Sequence, residues 1–225
     1  MPGKNSILLA GLLLPLALSA AEIRGRVLIE GGDPADPPET VSVALIPVDR
    51  QPGSVRGIVH EITLHRGRFQ PNYLAMRPGE RLRLVNLDPV HHRIFSVGPR
   101  SVSLALPPSQ GKAAKTVRIT EPGVFHLFCR IHTRAYARIE VLEASRILYV
   151  RPGEAFEFDG LAAGRWRLRI SGPGLVPATY AAEAFTAPPP RDFTVQATSR
   201  TARGKGHRAA TGIALETLYP GLPLQ

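Results

Sequence analysis

The chain has 225 residues but only one cysteine, one tryptophan and two methionines. A single cysteine excludes any internal disulfide, so the thiol must be inert, exposed or a ligand. Lysine is scarce as well: 4 Lys stand beside 24 Arg and 18 acids, for a formal charge of +10. That surplus favours acidic partners. Neither a Ser, His, Asp triad signature nor a paired-carboxylate motif is present, so the chain is not expected to be an enzyme, weak oxidase-like redox activity aside. No tandem repeat appears. Past residue 18 no run is apolar enough to span a membrane. Nucleic acid is not an expected partner either, because no aromatic-interleaved basic groove or known binding motif accompanies the charge.

What is present is punctuation. With 21 Gly and 22 Pro the chain leaves little room for long helices, while its 44% apolar content excludes a mainly disordered polymer. Lys4 precedes an apolar run from Ile7 to Leu18, and Ser19, Ala20 and Ala21 are small residues of the kind a signal peptidase accepts. Residues 1–21 therefore read as a signal peptide, with a mature start near Glu22 and a periplasmic or otherwise exported location. Export makes the lone thiol conspicuous, since an unpaired thiol outside the cytosol oxidises unless buried or metal-bound.

After Glu22 the pattern is strand and turn. Alternating runs recur at Arg24 to Glu30, Val41 to Pro47, Ile58 to Leu64, Arg81 to Asn86, Thr116 to Thr120, Val124 to Cys129 and Tyr136 to Leu142. The sharpest is Arg165 to Ile170, where Trp166, Leu168 and Ile170 alternate with Arg165, Arg167 and Arg169, predicting a core face and a face of solvated arginine. An all-β protein of one or two sandwiches follows. Residues 197–225 are polar, small and basic at first and read as a disordered tail.

Chemistry concentrates in two stretches, VNLDPVHHRIFS (85–96) and GVFHLFCRIHTRAYARIEV (123–141). Each opens as a strand and runs into a loop carrying metal-ligand types. Cys129 and His132 are two residues apart, so one tight loop aims a thiolate and an imidazole at one point; His92 is expected from a second loop at the same end. A His, Cys, His set is the ligand type of trigonal blue-copper sites. Thiolate stabilises Cu(I), imidazole holds Cu(II), and a rigid sandwich would keep the geometry nearly fixed between them.

The landmarks Phe69, Pro71, Pro78, Gly79, Asn86, Asp88, His92, Phe95, Ser96, Pro122, Gly123, Cys129, Ile131 and His132 occur in the order of the cupredoxin family, and residues 69–142 resemble the plastocyanin-like domain of exported, methylamine-utilisation-type members. The resemblance implies a Greek-key sandwich holding one type-1-like copper between His92, Cys129 and His132. One landmark differs. The family's axial methionine, most often three residues after the second His, is Ala135 here, and the other candidate, Met76, alternates with Leu74 as a core residue. Either copper remains with an axial backbone oxygen or none, or Cys129 is a buried small hydrophobe. A zinc ion with a water is a further occupant these ligands would accept.

His91 adjoins His92 and should point the other way, though it is the alternative ligand. His126, an odd number of residues from Cys129, should face the opposite side of the sheet; His60, His65 and His207 read as structural or surface residues. Arg93, Arg130 and Arg134 flank the three ligands and either are solvated charges or steer an acidic redox partner. Residues 144–196 (FEFDGLAAGRWRLRI within them) and 22–50 resemble a carboxypeptidase-regulatory-like, transthyretin-like sandwich, expected to be discontinuous around a cupredoxin domain at 56–143. The alternative gives residues 23–68 to the cupredoxin. Three functions are in view: electron carrier, copper storage or delivery module, and metal-free binding scaffold.

Overall fold

A computed structural model describes residues 21–32, 38–53, 57–108, 113–186 and 188–197. Residues 1–20 of the expected signal peptide (1–21) and 198–225 of the expected tail (197–225) lie outside the described residues, as does His207, whereas Ala21 opens a strand and Ala197 bridges to Leu175. Sixteen strands and no helix occur among the described residues. The first two are β1 (Ala21–Glu30) and β2 (Val41–Pro47). Nine follow in one block: β3 (Val59–His65), β4 (Arg68–Gln70), β5 (Tyr73–Met76), β6 (Arg81–Asn86), β7 (His92–Val97), β8 (Ser103–Leu106), β9 (Ala113–Arg118), β10 (Gly123–Cys129) and β11 (Tyr136–Val141). The last five are β12 (Arg146–Val150), β13 (Ala155–Leu161), β14 (Gly164–Ser171), β15 (Ala178–Ala184) and β16 (Arg191–Gln196).

The middle block folds on itself. One sheet runs β4-β3-β6-β9 and the other β5-β11-β10-β7-β8, with β3 parallel to β6, β5 parallel to β11 and the remaining pairs antiparallel. Period-two alternation dictates which side chains meet between them. Ile62, Leu64, Leu82 and Leu84 from one sheet pack against Ile94, Phe125, Leu127 and Ile139 from the other. Met76 is fully buried in that core and pairs with Val141, which in turn faces Gly123 at the far end of β10 from Cys129. Six residues of strand put it about 20 Å from the sulfur, out of reach as a donor.

Strands from both ends of the chain build the other sandwich. Its sheets run β13-β1-β16 and β12-β2-β14-β15, so β1 and β2 pair only with strands that follow residue 145. Val27 and Val43 share one core with Trp166, Leu168, Ile170, Phe158 and Phe193. Gly25 is required on β1, because a Cβ there would lie 2.5 Å from the Phe193 ring and 2.6 Å from the Arg191 carbonyl oxygen.

Polar groups join the sandwiches. Ser42 Oγ and Tyr73 OH are 2.7 Å apart, and Tyr149 OH both accepts from Ala75 N (2.6 Å) and donates to Ala75 O (2.9 Å). Glu140, buried on β11, meets Arg138 at 3.1 Å, Arg169 at 3.3 Å and Ser171 Oγ at 3.0 Å. Here the expectation of a wholly solvated arginine face is corrected: Arg165 and Arg167 are exposed, but Arg169 is drawn to the buried carboxylate of the neighbouring sandwich. Burial of Tyr73, together with that carboxylate, pushes its phenol well above its ordinary value, and burial takes Tyr149 to about 12. No helix among the described residues is long and apolar enough to cross a membrane.

Candidate metal centre

Two antiparallel neighbours, β7 and β10, carry the site. Their register sets Cys129 opposite Ile94, two residues along from His92, so the last residue of β10 and the first of β7 fall at one end of the sheet. The pleat turns both inward, alongside Ile94 and Leu127. His92 has no solvent exposure and Cys129 only 5%. His92 is therefore a strand residue and not the loop residue expected from the sequence: pairing of His92 with Leu106 on β8 extends the ladder to include it. Beyond Cys129 the chain turns tightly, with Ala135 N donating to His132 O at 3.0 Å, and this turn brings His132 back over the sulfur.

The three donor atoms converge. Cys129 Sγ lies 3.7 Å from His92 Nδ1 and 3.7 Å from His132 Nδ1, and the three atoms all fall within 4.8 Å of one another. The imidazole centroids are 4.6 Å apart, tilted by 38°. Metal bonds of about 2.3 Å to sulfur and 2.0 Å to nitrogen, at 120°, subtend an S···N edge of about 3.7 Å. Both S···N edges thus have the length expected around one three-coordinate ion. One S–H proton serves only one imidazole, whereas a single cation satisfies the thiolate and both Nδ1 lone pairs together. His91 is exposed and stands outside this group, as do His60, His65 and His126.

A carboxylate that the sequence reading took only as a landmark organises the surroundings. Asp88, four residues before His92 and almost fully buried, accepts from His92 Nε2 at 3.0 Å, from Gly67 N at 2.9 Å and from Arg66 N at 2.6 Å. Its bond to Nε2 places the ring proton there and leaves Nδ1 bare toward the sulfur. Burial alone would raise the Asp88 pKa, but the Gly67 and Arg66 amides, then the His92 ring, outweigh it and hold the carboxyl below its ordinary value. Burial lowers the His92 pKa, partly opposed by Asp88, so the ring is kept neutral.

The same carboxylate reaches the second histidine through the backbone. Arg66 and Gly67 adopt φ of 51° and 66°, forming the β3–β4 turn that Asp88 holds. Gly67 lies against the His132 ring: a Cβ there would stand 3.0 Å from Cδ2. The N-x-D spacing before His92 was the only sequence signal for this link. Asn86 completes the loop, donating to Val90 O and Pro107 O and accepting from Asp88 N.

On the outer side of the sheet a cross-strand row of rings backs the centre. Phe95 and Phe128 stack at 5.4 Å, Phe128 and Tyr136 lie 5.4 Å apart, and Tyr136 OH meets His126 Nδ1 at 2.8 Å. His126 thus occupies the face opposite Cys129, and burial, then the Arg138 charge, lowers its pKa. Arg130 spreads over Phe95 at 4.9 Å. His60 is bonded to Glu80 at 2.6 Å, away from the donor group.

A two-sheet all-β sandwich with a His, Cys, His cluster closing one end is a cupredoxin-like fold. Solved structures similar to the chain include forms of amicyanin. A Cu(I) variant of amicyanin is 16% identical, covering 37% of this chain and 82% of its own, with a TM-score of 0.33. A reduced variant is 15% identical over 44% of this chain and 98% of its own (TM-score 0.34), and an oxidised variant 16% identical over 44% and 99% (TM-score 0.33). No protein-family model matches the chain, and no curated protein matches it in sequence.

Proposed function

We propose that the chain is an exported mononuclear copper protein that carries single electrons. One observation carries this reading: Cys129 Sγ lies 3.7 Å from the Nδ1 atoms of both His92 and His132, and the three atoms fall within 4.8 Å of one another. A bound copper ion would supply the one-electron couple. The protein's part is to hold the donors still. His92 is locked by the Asp88 bond and by pairing with Leu106 on β8, Cys129 is fixed at the strand end, and His132, partly exposed, offers the short way to solvent. The buried walls keep water from the sulfur. No substrate need bind, and catalysis by the protein itself is not part of the reading.

A storage or delivery role is the second reading, favoured by one feature: buried Ala135 presents only a methyl group at the position where the family resemblance implies a thioether. Residues 22–50 and 144–196 serve, in this proposal, as a carboxypeptidase-regulatory-like carrier interrupted by the copper domain at 56–143; the shared core of Val27, Val43 and Trp166 supports it. Copper reconstitution of the full chain should give one copper per chain and an intense thiolate charge-transfer band that Cys129→Ser abolishes. Without band or stoichiometric copper, a metal-free scaffold is what remains. Reversible voltammetry supports the carrier; sluggish exchange with ready copper loss supports delivery.

A further inference from the structure

Period-two alternation puts His126 and Phe128 on the outer face of β10 and Tyr136 on the outer face of β11, opposite Phe128 and one diagonal step from His126. The register therefore brings a phenol and an imidazole together. Tyr136 is 7% exposed, and its hydroxyl lies 2.8 Å from His126 Nδ1. Burial, with the Arg138 charge beside it, lowers the His126 pKa, so the ring is neutral and Nδ1 can accept the phenol's proton. The other three tyrosines among the described residues face no base. Tyr73 OH meets Ser42 Oγ, Tyr149 OH donates to Ala75 O, and Tyr180 OH donates to Thr194 O. A hydroxyl and two amide carbonyls do not take up a proton near neutral pH. Burial also holds the Tyr73 and Tyr149 phenols above their ordinary value.

That difference decides which phenol can lose an electron. A phenol stripped of an electron becomes a strong acid, so the loss is easiest where a positioned base removes the proton in the same step. Tyr136 has such a base. It also stands beside a route to the donor cluster, because its ring is 5.4 Å from that of Phe128, and one peptide bond joins Phe128 to Cys129. Two charges act on the base once it is protonated: Arg138 opposes the imidazolium and Glu140, farther along the same face of β11, favours it.

We infer that Tyr136 and His126 form a redox-active pair: a strong one-electron oxidant such as an oxygen-centred radical takes an electron from the Tyr136 phenol while its proton passes to His126 Nδ1. The oxidant is reduced by one electron, and a neutral tyrosyl radical remains beside an imidazolium. One electron arriving through Phe128 re-forms the phenol as the imidazolium returns the proton, and the donor on the Cys129 side is oxidised by one. That this donor is a metal centre rests on the electron-carrier reading; the pair does not. The activity is the interception of damaging oxidants at a defined ring instead of at scattered side chains.

The test is flash photolysis of the full chain without copper, in its Cys129→Ser form so that the thiol supplies no electron. The probe is tris(bipyridine)ruthenium(II), photo-oxidised to ruthenium(III) by a cobalt(III) quencher. Electron paramagnetic resonance after the flash is expected to show a neutral tyrosyl radical that Tyr136→Phe removes. Tyr149→Phe, which deletes a phenol on a residue 43% exposed, should leave it. His126→Gln should slow radical formation about 100-fold. Heavy water should slow it in the chain that keeps His126, a measurement that stands even where the Gln substitution disturbs the fold. With Cys129 restored and still no copper, the radical should decay faster as sulfur refills it. A tyrosyl signal that survives Tyr136→Phe, an oxidised Trp166 in its place, or a rate indifferent to both His126→Gln and heavy water overturns the inference. Equal lifetimes with and without the thiol overturn the route through Phe128. Because no copper is used, a failure here leaves the metal reading standing, and failure to bind copper leaves these results readable.

Discussion

Replacing Asp88 separates a site held from outside from one held by the ligands alone. In Asp88→Ala, the amides of Arg66 and Gly67 and the Nε2–H of His92 lose their acceptor. A buried donor left without a partner costs about 1–3 kcal/mol. The Arg66 and Gly67 amides lie in a part-buried turn and carry part of that penalty, the Nε2–H of fully buried His92 carries all of it, and the loss is about 3 kcal/mol of folding stability. Asp88→Asn retains one oxygen and turns an amide toward a donor, for about 2 kcal/mol. Copper affinity should fall about 10- to 100-fold in either variant, the usual effect of removing the partner that orients a ligand histidine. Urea unfolding of the copper-free protein gives the first number and competition titration the second; nitrogen-15 shifts of the His92 ring report which nitrogen keeps the proton. An Asn variant within 0.5 kcal/mol and twofold of the parent, with an unchanged ring tautomer, would refute the orienting role.

Three further expectations follow from the geometry. Gly67→Ala should cost about 1–2 kcal/mol for its left-handed backbone and also shift the copper spectrum, because the added carbon meets His132 at 3.0 Å; Gly57→Ala, equally left-handed but facing open space, should bring strain without the spectral shift. Equal spectral effects in both would contradict the contact. Glu140→Ala strands Arg138 and Arg169 between the sandwiches and should cost about 3 kcal/mol, at the low end for a broken buried pair because Arg169 reaches water. Denaturation followed by Trp166 fluorescence measures it, and a loss below 1 kcal/mol would mean the pair is dispensable. Acid should unfold the copper-free protein in two stages. His92 and His126 have lowered pKa values, so the unfolded chain takes up their protons first: stability is full above about pH 6.5 and lost as pH falls from there toward the folded values. Asp88 and Glu80, also lowered, add a second loss below about pH 4. A melting temperature flat from pH 7.5 to 5 would contradict the first stage.

Periodicity and apolar content made the longer strands readable. Val41–Pro47 and Arg81–Asn86 are found at the residues the alternation marks, and Trp166, Leu168 and Ile170 face a core. Short edge strands escaped: β4 has three residues and β8 four, too few for a period to register. The two-residue gap between Cys129 and His132 is a local signal, and it is legible for that reason. What joins Asp88 to the 66–67 turn is separated by more than twenty residues, and nothing in the turn's own sequence names its acceptor. Arg169 was unreadable for the same reason. Its register says only that it leaves the core; that a buried glutamate awaits it depends on where another strand lands.

The order in which the chain leaves the ribosome gives the nested topology a kinetic meaning. β1 and β2 are made first but pair only with β12, β13, β14 and β16, so their sheets cannot close until the last quarter of the chain exists. Residues 59–141 contain every partner their own strands need. That block can collapse early, bringing the chain ends toward each other and shortening the loop that the outer strands must close. Until then ten residues of β1, with bare ladder groups on both edges, wait for company, and any delay in the block lengthens their exposure to neighbouring chains.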